Sequence, residues 1–335
     1  MSKKMKNLTI GKIRNLQQIA NPDSIFVMCA MDHRGSLRGM INSKNPERVT
    51  YEEMVERKLE LCSSLAGYAS AVLLDPIFGA AQCISRGILP RGTGLIVSIE
   101  STGYTGGKEE RLTELLDNWG VEKIKRMGAS AVKILVYYRP DLKDQADKQL
   151  ATVNSVAEQC IKFDIPFLVE PVSYPVGSEV NNPEEFAGEK GELVIETARQ
   201  VTALPIDVLK AEFPADIHYK KDESELMELC HKLDASSQVP WVILSAGVDF
   251  DLFYRQVEIA CQAGASGFLG GRAIWQDAMG MDDTGERVKY LSTVAVDRLK
   301  RLIEITSKYA TPWYKKAGLD NQKLAAVSEN WYREY

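Results

Sequence analysis

The residues of this chain best suited to chemistry are charged side chains set within, or at the ends of, apolar runs. Lys210 lies in DVLKAEFP, flanked by Val208, Leu209, Ala211 and Phe213. Desolvation disfavours a lysine's charged form, and a second cation nearby disfavours it further. The neutral amine is the form that attacks a carbonyl carbon. Lys133, in AVKILVYY, is a candidate for that second charge. Carboxylates close other runs: Asp32 after SIFVMCAM, Asp75 after AVLL, Glu100 after GLIVSI and Glu170 within PFLVEPV, while Glu212 follows Lys210 by two positions. An ionised group in an apolar segment is strongly unfavourable unless it is paired and hydrogen-bonded. Each of these groups therefore either belongs to an ion pair that plugs the fold or faces a reactive cavity. Asp75 and Glu100 read as plugs. For Lys210 the apolar flanks favour chemistry.

The elements that carry these residues form a regular alternation. Eight short apolar runs, at 24–32, 71–75, 94–100, 131–138, 166–172, 207–214, 241–247 and 267–271, are rich in β-branched and aromatic residues and nearly continuous, as strands buried on both faces are. Helix-like segments lie between them, around 51–66, 117–127, 145–162, 192–203, 223–234, 250–263 and 285–307. Glycine follows several of these, as in KRMGAS and CQAGAS, where a helix C-cap belongs. Eight such units predict a single (β/α)8 TIM barrel over 24–307, with an N-terminal arm or helix (1–23) and a C-terminal tail (308–335). An open doubly wound sheet would carry a Gly-rich phosphate fingerprint after its first strand, and that strand here ends in MDHRG. The segment 173–191 reads as a long loop. The tail, with Trp313, Tyr314, Trp331 and Tyr332, is expected to pack on the barrel or on a neighbouring subunit, and a homo-oligomer is the expected assembly.

In such a barrel the C-terminal strand ends form the site. The fourth and sixth strands share parity, so Lys133 and Lys210 can occupy one layer. Alternation along the sixth strand puts Lys210 and Glu212 on one face. The seventh strand ends Ser245-Ala246-Gly247 and the eighth Gly270-Gly271-Arg272. Barrels commonly hold a phosphate between these two loops on exposed backbone N–H groups, and Arg272 adds a charged fork. His33 follows Asp32 and reads equally as a site residue or as a solvent-facing loop histidine. It, His218 and His231 are not spaced as a zinc set, so no metal is expected.

Composition narrows the function classes. Of 335 residues, 45% are hydrophobic and 26% charged, enough for a large core, and the net charge of −5 with no basic block argues against a nucleic-acid partner. No apolar run approaches the roughly 20 residues of a membrane helix. The basic N-terminus lacks the apolar stretch of a secretory signal. Six cysteines without a CxxC pair read as buried free thiols of a cytoplasmic protein.

The runs AMDHRGSL, YASAVLLDP, STGY, GASAVKILVYY, PFLVEPVSY, DVLKAEFP, WVILSAGVD and GFLGGRAIW, taken in order over about residues 24–315, resemble the class I tagatose-1,6-bisphosphate aldolase family. The last two also resemble the 6-deoxy-6-sulfofructose-1-phosphate aldolases. The resemblance implies cleavage of a ketose bisphosphate to dihydroxyacetone phosphate and glyceraldehyde 3-phosphate through an imine on Lys210, with no cofactor. It implies that Glu170 moves protons and that Asp32 and Lys133 surround the reacting carbons. By the same resemblance, Ser245, Gly271 and Arg272 hold the C1 phosphate and Arg34 faces the far end of the substrate. His33 departs from the family's usual glutamine, which leaves the C6 group open between phosphate and sulfonate. A transaldolase and a non-catalytic sugar-phosphate sensor are the other readings.

Overall fold

The computed structural model describes residues 8–320 and 324–335. The basic residues at the start of the chain, on which the reading of the N-terminus partly rests, lie outside this range. The chain enters through α1 (Ile10–Ile19), β1 (Phe26–Ala30), α2 (Gly35–Ile41), α3 (Tyr51–Leu65), β2 (Ala71–Leu74), α4 (Ala80–Ser85) and β3 (Gly94–Ser98). It continues with α5 (Val121–Arg126), β4 (Ala131–Tyr137), α6 (Lys143–Lys162), β5 (Phe167–Val172), α7 (Pro183–Val201), β6 (Val208–Ala211) and α8 (Glu223–Ser236). After β7 (Trp241–Leu244), α9 (Phe250–Gln262) and β8 (Gly267–Gly270) come α10 (Arg272–Met279), α11 (Thr284–Tyr290), α12 (Val296–Tyr309), α13 (Trp313–Lys316) and α14 (Trp331–Glu334).

The eight strands are parallel, pair in sequence order and close β8 onto β1, with Phe26 opposite Gly267. This is the (β/α)8 barrel that the alternating pattern predicts. The apolar runs are continuous because both strand faces are covered, one by the barrel interior and one by the helical layer; Val27, Met28, Leu73, Ile96, Ile134 and Val169 are all buried. Burying one such side chain contributes about 1.5–3 kcal/mol. Local signals place the helices: Thr50 and Glu53 form a capping box on α3, and Asp249 caps α9 by accepting from Leu252 N.

Several boundaries differ from the sequence-based expectation. The segment 173–191 is not a loop throughout. A 3-10 turn at Gly177–Asn181 leads into α7, which begins at Pro183 under an Asn182 cap. Proline is well accommodated at a first helical turn. Gly191, the last residue of that expected loop, lets α7 approach the end of β6: an added β-carbon there would stand 3.0 Å from Pro214 O. The short helices α2 and α4 were not foreseen, and α5 starts at Val121 rather than near 117.

The end of the barrel where the strands begin is sealed. Lys12 of α1 donates from Nζ to Asp207 Oδ2 at 2.8 Å, and that oxygen also accepts from Phe167 N. In the tail, Trp313 is fully buried, and Tyr335 bonds Asp164 and accepts from Gly11 N, so this segment packs on the barrel itself. All six cysteines are buried and unpaired, as expected. Among the described residues no helix is long and apolar enough to cross a membrane.

Candidate active site

At the opposite end the strands open into a cavity of about 630 Å³. Its floor is an ion cluster carried by β4, β5 and β6 and by the residues just past β1 and β3. Lys133 Nζ reaches Asp32 Oδ2 at 2.8 Å, Glu100 Oε1 at 2.7 Å and Glu170 Oε2 at 2.9 Å. Glu170 turns its other oxygen, Oε1, to Lys210 Nζ at 2.7 Å. One carboxylate on β5 thus bridges lysines on β4 and β6, which explains how two strands of equal parity share a layer without direct contact between their ammonium groups. The cluster holds three carboxylates against two ammonium groups. Lys133 therefore does not stand beside Lys210 as an uncompensated cation, as the sequence suggested; its charge is met on three sides.

The electrostatics follow from these contacts. Burial works against charge on Lys133, but Asp32, Glu100 and Glu170 outweigh it and hold the ammonium well above the ordinary lysine range. Burial likewise opposes charge on Asp32 and Glu170, yet Lys133 and Lys210 keep both carboxyls below the ordinary range. Both are ionised acceptors at neutral pH. His33 goes the other way. Burial, joined by the cations Arg272, Lys58 and Lys210 and opposed by Asp32, lowers its imidazole to about 3. It is a neutral ring, edge-on to Trp275, with 5.1 Å between ring centroids.

A second group of residues surrounds the ends of β7 and β8. Ser245 and Ala246 line the cavity, as do Gly271 and Arg272 at the start of α10. Among the described residues Arg272 makes no ion pair, and its Nε is buried without a hydrogen-bond partner. Gly247 has φ +84°, and a β-carbon on it would stand 2.9 Å from Arg272 Cζ, so only glycine lets this loop close over the guanidinium. Ala246 is also left-handed, with φ +47°. Gly271 has no room for a side chain because His33 Cε1 lies 2.8 Å from where its β-carbon would be.

The structure brings Asp32, His33, Arg34, Lys133, Glu170, Lys210, Ser245, Gly271 and Arg272 to one cavity wall. Gly247 stands just behind that wall, against Arg272. Gly270 does not line the cavity: it is the last residue of β8 and faces the helical layer, 2.8 Å from Phe253 Cε1 by the same measure. A glycine shows no side chain by which its face could be read in the sequence. Asp75 is a plug, as expected, paired with Lys58 at 2.9 Å with both side chains fully buried. Glu100 is paired but also lines the cavity, and its carbonyl accepts from Arg34 Nη2 at 2.7 Å.

Three lining groups escaped the sequence reading. Ser101, Thr102 and Gly103 form the loop after β3. Tyr137 ends β4, where its ring and those of Tyr104 and Tyr174 surround the Arg111 guanidinium at 4.7–5.7 Å. Lys190 reaches in from α7. Tyr137 stood in a strand whose end was already marked as part of a mouth; Lys190 stood in a segment read as loop.

The chain matches the DeoC/LacD family of aldolases over residues 26–277. It is 31% identical over 328 residues to tagatose 1,6-diphosphate aldolase of Streptococcus agalactiae, covering 92% of this chain and 99% of that protein. It is equally 31% identical to tagatose 1,6-diphosphate aldolase of Lactococcus lactis over 327 residues, with the same coverage. Among solved structures, an archaeal fructose 1,6-bisphosphate aldolase shares the fold with a TM-score of 0.59 at 21% identity, covering 88% of this chain and 98% of that one. The fructose-bisphosphate aldolase of Plasmodium falciparum does so with a TM-score of 0.68 at 14% identity, covering 92% and 98%. A parallel barrel whose strand ends gather a lysine–carboxylate cluster, matched over its strands by one family and over nearly its whole length by relatives of one kind, belongs to the DeoC/LacD aldolases and is a class I aldolase, a carbon–carbon lyase.

Proposed function

We propose that this aldolase cleaves D-tagatose 1,6-bisphosphate to dihydroxyacetone phosphate and D-glyceraldehyde 3-phosphate through an imine on Lys210. The observation that carries the reading is the Glu170 bridge: one ionised carboxylate within hydrogen-bond reach of both Lys210 and Lys133, at the floor of a cavity whose β7–β8 side holds an unpaired arginine. The substrate assignment rests on the relatives named above.

The steps follow from the contacts. Lys210 gives its proton to Glu170 along their 2.7 Å contact and attacks C2 of the ketose as a free amine. The carbinolamine loses its hydroxyl as water, taking a proton back from Glu170, and a protonated imine remains. That cation accepts the electron pair of the C3–C4 bond as it breaks. Glu170 takes the C4 hydroxyl proton, so the aldehyde leaves neutral and an enamine stays on Lys210. Protonation at C3 and addition of water to the imine return dihydroxyacetone phosphate and the free lysine. Lys133, held by three carboxylates, does not compete as nucleophile. Together with Asp32 it orients the hydroxyls of the substrate.

Arg272, with Ser245 and the backbone at Gly271, holds the C1 phosphate, which sets C2 against Lys210. Gly247 contributes by making room for the guanidinium. Arg34 and the neutral His33 face the remainder of the substrate. An uncharged imidazole offers one donor and one acceptor, as the glutamine amide common in this family does, so His33 adds no charge to the selection of the C6 group. The imine itself is the electron sink, and the route calls for neither metal nor dissociable cofactor.

The test is to incubate the protein with dihydroxyacetone phosphate, reduce with borohydride and map the adduct. It is expected on Lys210, to be absent from Lys210→Ala with circular dichroism unchanged, and to form in the presence of a chelator. An adduct on Lys133, or none on the parent protein, would overturn the assignment. Turnover of tagatose 1,6-bisphosphate, fructose 1,6-bisphosphate and the C6 sulfonate analogue then ranks the substrates.

A further inference from the structure

We infer that Lys190, a residue of helix α7 rather than of any strand end, reads the second anionic group of the substrate, the phosphate at C6. The inference deepens the reading above and rests on it. Five cationic side chains line the cavity: Arg34, Lys133, Lys190, Lys210 and Arg272. Their free binding capacity differs. Lys133 is met by three carboxylates within 2.9 Å, and Lys210 by Glu170 at 2.7 Å. Among the described residues Lys190 has one ion-pair partner, Glu212 Oε1, at 3.4 Å, too long for a strong charge-assisted hydrogen bond.

Glu212 cannot draw closer without losing other bonds. Its Oε2 accepts from Ser173 N at 2.7 Å and from Ser173 Oγ at 2.6 Å. The carboxylate is fixed by the segment after β5, and Lys190 keeps donors free for a ligand. Its position is fixed by the close approach of α7 to the end of β6 at the neighbouring Gly191, where Pro214 O and Leu229 leave no room for a side chain. Lys190 is 16% exposed at its side chain, open enough to be touched and closed enough for its charge not to be lost to solvent.

Topology gives the direction. In a closed eight-stranded barrel the C1 anion site at β7–β8 lies across the mouth from β3 and β4. Lys210 on β6 fixes C2 and Glu170 on β5 takes the C4 proton, so the substrate runs from β8 through β6 and β5. Val172 at the end of β5, Glu212 just past β6 and Lys190 on α7, the helix that joins these two strands, line the cavity on that same side, next to the place this path gives C4. Lys190 waits there, with Arg34 on the other side of the mouth.

The experiment compares kcat/KM for tagatose 1,6-bisphosphate with that for tagatose 1-phosphate, which lacks the second anion, in the parent and in Lys190→Gln. The preference for the bisphosphate is expected to fall about tenfold in the variant, the size of effect that one lost charge-assisted contact produces. The change should appear in KM more than in kcat, and borohydride trapping of dihydroxyacetone phosphate should still occur, which verifies the fold and the reacting lysine. Lys190→Arg should restore most of the preference. An unchanged ratio, or an equal fall on both substrates, would overturn the role of Lys190. Absence of trapping in the parent protein would instead overturn the imine reading on which it rests.

Discussion

The two ends of this barrel both bury lysine–carboxylate contacts, and they differ in what is left unsatisfied. Where the strands begin, Lys12 and Asp207 form a closed pair, 1% and 2% exposed, and the shared Asp207 oxygen also caps Phe167 N. Where the strands end, five charged groups share one cluster, and around it Arg272 Nε, Arg34 Nη1, Glu100 Oε2 and His33 Nδ1 are buried without hydrogen-bond partners among the described residues. An unpartnered buried polar atom costs about 1–3 kcal/mol. A fold keeps several of them in one place only if something else supplies their bonds. Burial of a charge does not distinguish the two ends; the unpartnered atoms of charged and imidazole side chains around the cluster do.

This contrast can be broken by substitution. The largest effect is expected from Glu170→Gln, which should lower the rate of ketose cleavage by about 10²–10⁴, the usual weight of a general base. The same change also takes from the buried Lys210 its carboxylate partner, so unfolding stability should fall by up to about 3–5 kcal/mol. Steady-state kinetics and denaturant titration together check it. A large stability loss with little kinetic change would make the upper cluster a second plug.

Lys12→Met is the converse. Removing one partner of a buried pair costs about 3–5 kcal/mol. The denaturation midpoint should drop accordingly, with kcat per folded molecule retained. A kinetic defect in folded Lys12→Met would show that the two ends are coupled.

The smallest effect concerns His33. Its imidazole is held at about 3, below the ordinary value near 6.5, so between those values the unfolded chain binds a proton that the folded chain does not. Folded stability therefore rises with pH through that window and is lost as pH falls from about 6.5 toward 3. His33→Gln should flatten that slope by up to about 1.4 kcal/mol per pH unit. The pH–rate profile above pH 5 should keep its shape, since the ring is neutral there. An inflection near 6.5 that His33→Gln abolishes would mean that the ring titrates in the folded site.

Much of the barrel was legible in the sequence, because strands covered on both faces leave unbroken apolar runs and the charges that interrupt them mark the strand ends. The Lys133, Glu170 and Lys210 positions were visible for that reason. What could not be read was anything that enters the mouth from outside a strand. Lys190 belongs to the first half of α7, inside the stretch 173–191 that reads as loop, because the tolerance of Pro183, Gly188 and Gly191 in a helix depends on a cap and a close tertiary contact that pattern alone does not show. The facing of Gly270 was invisible for want of a side chain. The strength of compensation at Lys133 was likewise hidden, since parity tells which residues share a layer but not which carboxylates reach between them.

Ala246 adds one consequence. An alanine held in the left-handed region stores about 1–2 kcal/mol that glycine would not. In exchange, the turn after β7 has fewer shapes to sample than a glycine there would allow, so the loop beside Arg272 is already set. Relieving that tension would make a sturdier barrel with a slacker grip.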